Sequence, residues 1–415
     1  MTGIDSGDTA FILVSTFLVF IMTLGIAFFY GGMVRRRNVV NTMMMSVAVA
    51  GLISVVWVVA GYSLAFGDGK GTFVGAVDKL FLNGVTPDSA HGTLPELVFA
   101  AYQGMFALIT VAIISGAIAE RMRFSRFLVF IAAWVLVVYA PLAHMVWGGG
   151  FISTAIGSLD FAGGDVVHIS SGVSGLVLAL IVGGRTGYGK LSYHPHNIPF
   201  VLLGTLFLWL GWFGFNAGSA LAANGIAGLA AMTTNTSACT GLLTWMLLER
   251  LTTGKCTLLG ACSGAVAGLV AITPGAGYVE VPSSIAIGAI VTVACFFACS
   301  KLKPRLGYDD ALDAFGVHGL GGMVGTLLTG VFCTLAANPD GAAGLITGDP
   351  TQLGRQALSV VLVAVYAGVA TFAIAKVIEL VGGPLRVSAK DEARGLDQTL
   401  HGETAYPAFT GMDLN

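Results

Sequence analysis

The chain has 415 residues, of which only 10% are charged while 55% are hydrophobic. Soluble proteins carry about 25% charged residues, so this composition excludes a soluble globule and, equally, a disordered chain. A net charge of −2 and no basic tract longer than Arg35-Arg36-Arg37 argue against a nucleic-acid binder, and the 58 glycines, about twice the usual share, fit close packing of transmembrane helices.

The N-terminal stretch to Asp8 carries acids and no positive segment, so no cleavable signal peptide is expected and the first apolar run stays in the membrane. A helix needs about 20 apolar residues to cross the bilayer core. Eleven stretches qualify: 9–33, 39–66, 96–119, 127–147, 165–184, 198–217, 226–249, 256–273, 283–300, 311–334 and 356–381. The seventh is the least apolar, with Thr233-Thr234-Asn235-Thr236-Ser237 inside it, which a packed bundle tolerates.

Basic residues orient the spans. Arg35, Arg36, Arg37, Arg121, Arg123, Arg126, Arg185, Lys190, Arg250, Lys255, Lys301, Lys303, Arg305, Arg386, Lys390 and Arg394 fall on one side, sixteen in all. Lys70, Lys79 and Arg355 fall on the other, and Lys376 lies inside the last span. The positive-inside rule then puts the N-terminus outside and the C-terminus in the cytoplasm. This alternation requires an odd number of spans, which supports the seventh. The expected architecture is an all-α polytopic membrane protein: one transmembrane domain, 1–381, and a cytoplasmic tail, 382–415.

Two stretches echo one another. Asp160 precedes His168 by eight positions at the start of the fifth span, and Asp310 precedes His318 by eight at the start of the tenth. Five helices per copy is an odd number, so the second copy is inverted in the membrane, as in many transporters. Repeat one is 9–184 and repeat two 198–334, with helix eleven at 356–381. Eight helical residues rise about 12 Å, close to half the ~30 Å hydrocarbon core, so both histidines are expected near the midplane, where an imidazole needs a cavity or a partner. A lone buried histidine is ordinarily a satisfied core residue; the symmetric pair points to function. Both aspartates are expected to cap helices.

At these residues the chain resembles the ammonium transporter (Amt) family. The resemblance is carried by Asp160-Phe161-Ala162-Gly163-Gly164 through Arg185, by Phe28-Phe29-Tyr30-Gly31-Gly32, Ala119-Glu120-Arg121, Ala143-His144-Met145-Val146-Trp147, Gly211-Trp212-Phe213-Gly214-Phe215 through Ser219, and Phe315-Gly316-Val317-His318-Gly319. The tail, with Gly395-Leu396-Asp397 and His401-Gly402-Glu403, resembles the family too. The resemblance implies eleven helices with an inverted five-helix repeat, a homotrimer with one pore per subunit, and a plasma-membrane location of the bacterial inner-membrane type. It matches His168 and His318 to twin pore histidines, Phe106 and Phe215 to a stacked gate, and Phe106, Trp147 and Ser219 to an outer ammonium recruitment site. Asp160 matches an essential acid near that vestibule. It also implies a tail packed beneath the bundle that assists docking of a cytoplasmic PII-type regulatory protein.

These residue types suit ammonium. Aromatic faces attract a cation by about 0.5–2 kcal/mol, and a serine accepts one hydrogen bond. Beyond a phenyl gate, K⁺ or Na⁺ would lose water without replacement, whereas NH4⁺ can release a proton and continue as NH3 past neutral imidazoles. The expected function is therefore transport of ammonium or ammonia, with no enzymatic activity, no cofactor and no metal. The alternatives are an ammonium sensor with little transport and an Rh-like NH3/CO2 gas channel, which would lack the Trp147 site. An intramembrane enzyme lacks the HExxH or nucleophile motif it would need. Cys239, Cys256, Cys262, Cys295, Cys299 and Cys333 form no CxxC pair and read as small buried apolar residues. His194-Pro195-His196 has no further ligand nearby, and Gly260, Gly264 and Gly268 mark one close-packing helix face.

Overall fold

The computed structural model describes residues 3–69 and 71–406; Lys70 lies outside them. Among the described residues, nine helices are long and apolar enough to cross a membrane: α1 (Ser6–Met33), α2 (Arg36–Phe66), α3 (Glu96–Ile118), α4 (Phe124–Val146), α5 (Gly164–Val182), α6 (Ile198–Gly218), α9 (Val281–Leu306), α10 (Phe315–Phe332) and α11 (Pro350–Gly382). Two more complete the expected set of eleven: α7 (Gly225–Thr253), which is too polar to qualify on its own, and α8 (Leu258–Ile272), which is too short.

The polar stretch of α7 is accommodated because its hydroxyls face other helices. Ser237 Oγ donates to the Gly268 carbonyl of α8 at 2.7 Å, and Thr234 Oγ1 accepts from Asn216 of α6 at 2.8 Å. The glycine face of α8 meets the same neighbour: a side chain at Gly264 would strike Trp245 and the Gly241 carbonyl, and one at Gly268 would strike Ser237. In lipid, where tails are as apolar as leucine, such close packing and interhelical hydrogen bonds hold helices together. A similar knot joins α4, α5 and α11, where Trp134 Nε1 donates to Ser174 and Thr371 at 3.0 Å each. Pro141 inside α4 has no N–H for the Val137 carbonyl; Tyr366 of α11 supplies its hydroxyl instead at 2.6 Å.

The basic connections gather at one end. Glu120, between α3 and α4, is 1% exposed; it accepts from Arg35 Nε at 2.9 Å and from Arg185 at 3.1 Å. Arg185 also pairs with Asp309 at 2.8 Å. Burial alone would raise the Glu120 and Asp309 carboxyls, but hydrogen bonds and charge from Arg35 and Arg185 hold both below their ordinary values. The tail folds onto this end: Leu396 N donates to Asn38 at 2.8 Å, Asp397 accepts from the Asn41 amide at 2.8 Å, and Arg386 pairs with Glu392 of α12 (Ala389–Arg394) at 2.7 Å. At the other end, Asp8 accepts from Thr93 and from the Ala223 amide, bringing the N-terminus, the 67–95 loop and the α6–α7 turn together.

Candidate functional site

Asp160 ends an irregular stretch ahead of α5. Its Oδ1 accepts from the amides of Gly163 and Gly164 at 2.7 Å each, and its Oδ2 from those of Asp165 (2.8 Å) and Val166 (3.2 Å). Asp310 does the same for α10, accepting from Ala314 at 3.0 Å, Phe315 at 2.8 Å and Gly316 at 3.4 Å. Both are N-terminal caps, as expected. Each helix, however, starts at residue 164 or 315 rather than at the aspartate. The eight-residue rise therefore does not set the depth of the histidines, because half of that interval is the cap loop.

The depth follows from the other end. Fourteen residues separate His168 from the end of α5 at Val182, and fourteen separate His318 from the end of α10 at Phe332. Each is a rise of about 21 Å. The two helices run outward in opposite senses from a shared meeting point, which places the pair centrally in a ~40–45 Å bilayer. Both histidines lie in a widened helical turn, Gly164–Ile169 and Phe315–Gly319, a feature common at functional sites.

Glycine makes the crossing possible. Gly172, four residues after His168, faces the His318–Gly319 backbone so closely that a Cβ has no room. Gly322, four residues after His318, faces the Cβ of His168, which a side chain would approach to 2.9 Å. The two Nδ1 atoms consequently sit 3.3 Å apart, with ring centroids 5.3 Å apart at 32°. His168 is 1% and His318 4% exposed. His168 Nε2 is buried without a hydrogen-bond partner among the described residues. His144 is the contrast: it is equally buried, but its nitrogens lie 3.0 and 2.7 Å from the carbonyls of Ala65 and Gly71. His144 thus has a backbone carbonyl for its ring N–H, whereas the paired histidines face each other.

Beside the histidines two phenyl rings stack. Phe106 of α3 and Phe215 of α6 stack with centroids 4.3 Å apart and planes at 20°, and both are buried. Phe215 lies 6.1 Å from the His168 ring. Trp212 stacks on that ring at 5.4 Å and 23°, held by its Nε1 donating to Thr273 at 2.9 Å. Trp212 was not singled out as a site residue from sequence, although its place three residues before Phe215 puts both on one helix face.

On the other side of the phenyl stack opens a cavity of about 400 Å³ whose lining includes Gln103, Phe106, Trp147, Asp160 and Ser219. Trp147 stands edge-on to Phe106 at 6.0 Å, its Nε1 donating to the Asp160 carbonyl at 2.9 Å. Ser219 Oγ donates to the Phe215 carbonyl at 2.8 Å and lies 3.5 Å from Tyr102 Oη. His91, in a short hairpin of β1 (Ala90–His91) and β2 (Leu94–Pro95), lies flat on Phe99 at the cavity wall, with centroids 3.7 Å apart. Inside, His318 faces a small cavity of about 40 Å³ lined also by Phe29, Tyr30, Leu312 and Val317. The structure thus aligns Ser219 and Trp147, Phe106, Phe215, His168 and His318 in one file.

His194 and His196 bond to Ser192 and Tyr406 rather than to one another. Among the cysteines, Cys262, Cys295 and Cys333 are buried, whereas Cys239 and Cys256 are exposed, so the reading of the six as buried holds for only part of the set.

The sequence profile of the Ammonium Transporter Family matches residues 10–406. The chain is 48% identical to an ammonium transporter of Bacillus subtilis over 402 residues, covering 96% of this chain and 98% of that protein. Its fold superposes on the crystal structure of Saccharomyces cerevisiae Mep2 with a TM-score of 0.87 and 37% identity, covering 94% of this chain and 91% of that one. A structure described as a sensor Amt protein also superposes with a TM-score of 0.87, at 28% identity, over 95% of this chain and 98% of that one.

Proposed function

The chain belongs to the ammonium transporter family, and from this premise we propose how its residues move the substrate. It is a multi-pass membrane protein of the bacterial inner-membrane type that transports ammonium, and it is not an enzyme. In the proposed sequence, NH4⁺ enters the outer cavity and rests against Trp147 and Phe106, donating to Ser219. The aromatic faces contribute about 0.5–2 kcal/mol, and Ser219 has a lone pair left after donating to Phe215. The Phe106–Phe215 stack then leaves no room for a hydrated ion. NH4⁺ transfers one proton to water in the outer cavity, which carries it away as hydronium, and the NH3 that remains passes the phenyl rings. K⁺ has no such neutral form and stays behind.

The observation that carries this reading is the His168–His318 pair with its open Nε2, set under a phenyl stack. Facing Nδ1 atoms 3.3 Å apart share one proton between them, which fixes opposite tautomer roles on the two rings. The buried Nε2 of His168 offers NH3 the hydrogen-bond partner it lost on leaving water. Asp160 acts by position: four backbone amides occupy its oxygens, and its carbonyl orients Trp147. Asp310 mirrors it beneath His318.

The proposal divides the chain into a transporter domain, 1–381, with repeats at 9–184 and 198–334, and a tail, 382–415. It also includes a homotrimer and a PII-type partner at the cytoplasmic face. The folded tail supports the second by offering an ordered surface, and cross-linking of the intact protein in membranes tests the first. Uptake by purified protein in liposomes under an ammonium gradient tests the whole reading. Uptake well above empty vesicles is expected; none above them would favour an ammonium sensor, the reading that the likeness to a sensor Amt protein keeps in view.

A further inference from the structure

At the cytoplasmic end, Arg35, Arg36 and Arg37 line a cavity of about 550 Å³ together with Ser192, Tyr193 and Thr404. The three segments that meet there are far apart in sequence: the α1–α2 connection, the α5–α6 connection and the tail. Orienting the protein in the membrane requires positive charge on this side, but it does not require three guanidinia to converge on one hollow beside hydroxyls.

The fold uses these arginines only in part. Arg35 Nε pairs with Glu120 at 2.9 Å, and its Nη2 is buried with no hydrogen-bond partner. Arg36 reaches the Tyr406 carbonyl at 3.3 Å and covers its ring at 5.2 Å, while remaining exposed. Arg37 is exposed and has no ion pair among the described residues. Tyr193 stands between the guanidinia of Arg35 (4.9 Å) and Arg185 (4.2 Å), which fixes the wall of the hollow. Among the described residues no carboxylate lines it. Glu120 is buried behind Arg35 and shared between Arg35 and Arg185, and Glu403 adjoins Thr404 in the chain without lining the hollow.

We propose that this hollow is a binding site for a phosphate-bearing anion, held by the Arg35–Arg37 guanidinia with Ser192 and Thr404 as further donors. Guanidinium presents paired N–H groups that match phosphate oxygens, and serine and threonine hydroxyls donate to the same oxygens. The hollow is open on one side, and Leu191 and Tyr193 beside the arginines offer a wall to a larger group that carries the phosphate. The carrier is either a soluble phosphomonoester or the headgroup of an anionic lipid. Occupancy would brace the tail at Thr404 against the first cytoplasmic turn.

The test uses the full chain, delipidated in neutral detergent at constant ionic strength. Inorganic phosphate is titrated against chloride, with thermal stabilisation and hydrogen exchange as readouts. In parallel, the protein is placed in phosphatidylcholine bilayers with or without phosphatidic acid. Saturable stabilisation is expected, with slower exchange at 191–193 and 402–406, and Arg36→Gln/Arg37→Gln weakens it at least tenfold. Both side chains are exposed, so uptake and elution volume of that variant should match the wild type. A response to inorganic phosphate that phosphatidic acid does not displace assigns a soluble ligand; a response confined to phosphatidic acid bilayers assigns a lipid. The proposal is overturned if neither probe acts, if the double variant responds as the wild type does, or if the wild type shows no exchange protection in those two segments.

Discussion

Replacing Asp160 by Asn probes the cap on which the outer half of the path rests. The carboxylate accepts four backbone amides, two on each oxygen. Asparagine keeps one acceptor oxygen, and its NH2 then faces two N–H donors that have no other partner. A hydrogen bond to a charged group is worth about 1.5–3 kcal/mol, so two lost bonds amount to about 3–6 kcal/mol, before any relief from local rearrangement. Two consequences follow from the same contacts. The first turn of α5, which carries His168, loosens, and the Asp160 carbonyl that holds Trp147 Nε1 at 2.9 Å shifts. The assay pairs thermal unfolding of purified protein with ammonium uptake in liposomes. A lowered midpoint together with uptake reduced at least tenfold is expected. An Asp160→Asn protein with wild-type midpoint and wild-type uptake would refute the cap argument.

Three further outcomes follow from the packing. Glu120→Gln leaves Arg35 without its buried counter-charge and Arg185 with Asp309 alone, and should cost about 3–5 kcal/mol. Because the Glu120 carboxyl is held below its ordinary value, its stabilisation is complete above the ordinary glutamate range and is lost as pH falls through the depressed value; unfolding midpoints followed against pH should drop on the acid side in the wild type and lose that component in the variant. Gly172→Val drives a side chain into the Gly319 backbone, and overpacking of this kind costs about 1–3 kcal/mol; uptake should fall at least tenfold through separation of the histidines, and unchanged uptake would mean the helix crossing does not set their distance. Phe215→Ala removes one ring of the 4.3 Å stack; a potassium current, absent in the wild type, should appear in planar bilayers.

Much of this was legible in the sequence, for physical reasons. Spans are visible because lipid demands apolar length: the starts of α1–α9 fall within three residues of the apolar runs they were read from, while α10 starts four residues later and α11 six residues earlier than its run. The Asp–His echo was visible because caps and pore groups recur at fixed spacing in both repeats. The reason given for histidine depth was incomplete, since apolar sequence does not reveal that residues 160–163 form a cap loop rather than a helical turn. Glu120 was hard to single out because an acid among arginines in a short connection looks like a solvated charge, and only the convergence of Arg35 and Arg185 shows it buried. The glycines that set the crossing, Gly172 and Gly322, were lost among the chain's 58 glycines until their partners were known.

The central claim is that ammonium crosses as a molecule that sheds its charge and passes the His168–His318 pair. Its most direct test is simultaneous measurement of ammonium uptake and potassium exclusion in liposomes carrying His168→Ala or His318→Ala protein. The account predicts that each substitution lowers ammonium uptake, weakens potassium exclusion, or both, in protein that still folds. Ammonium flux and potassium exclusion both equal to those of the wild type would contradict it.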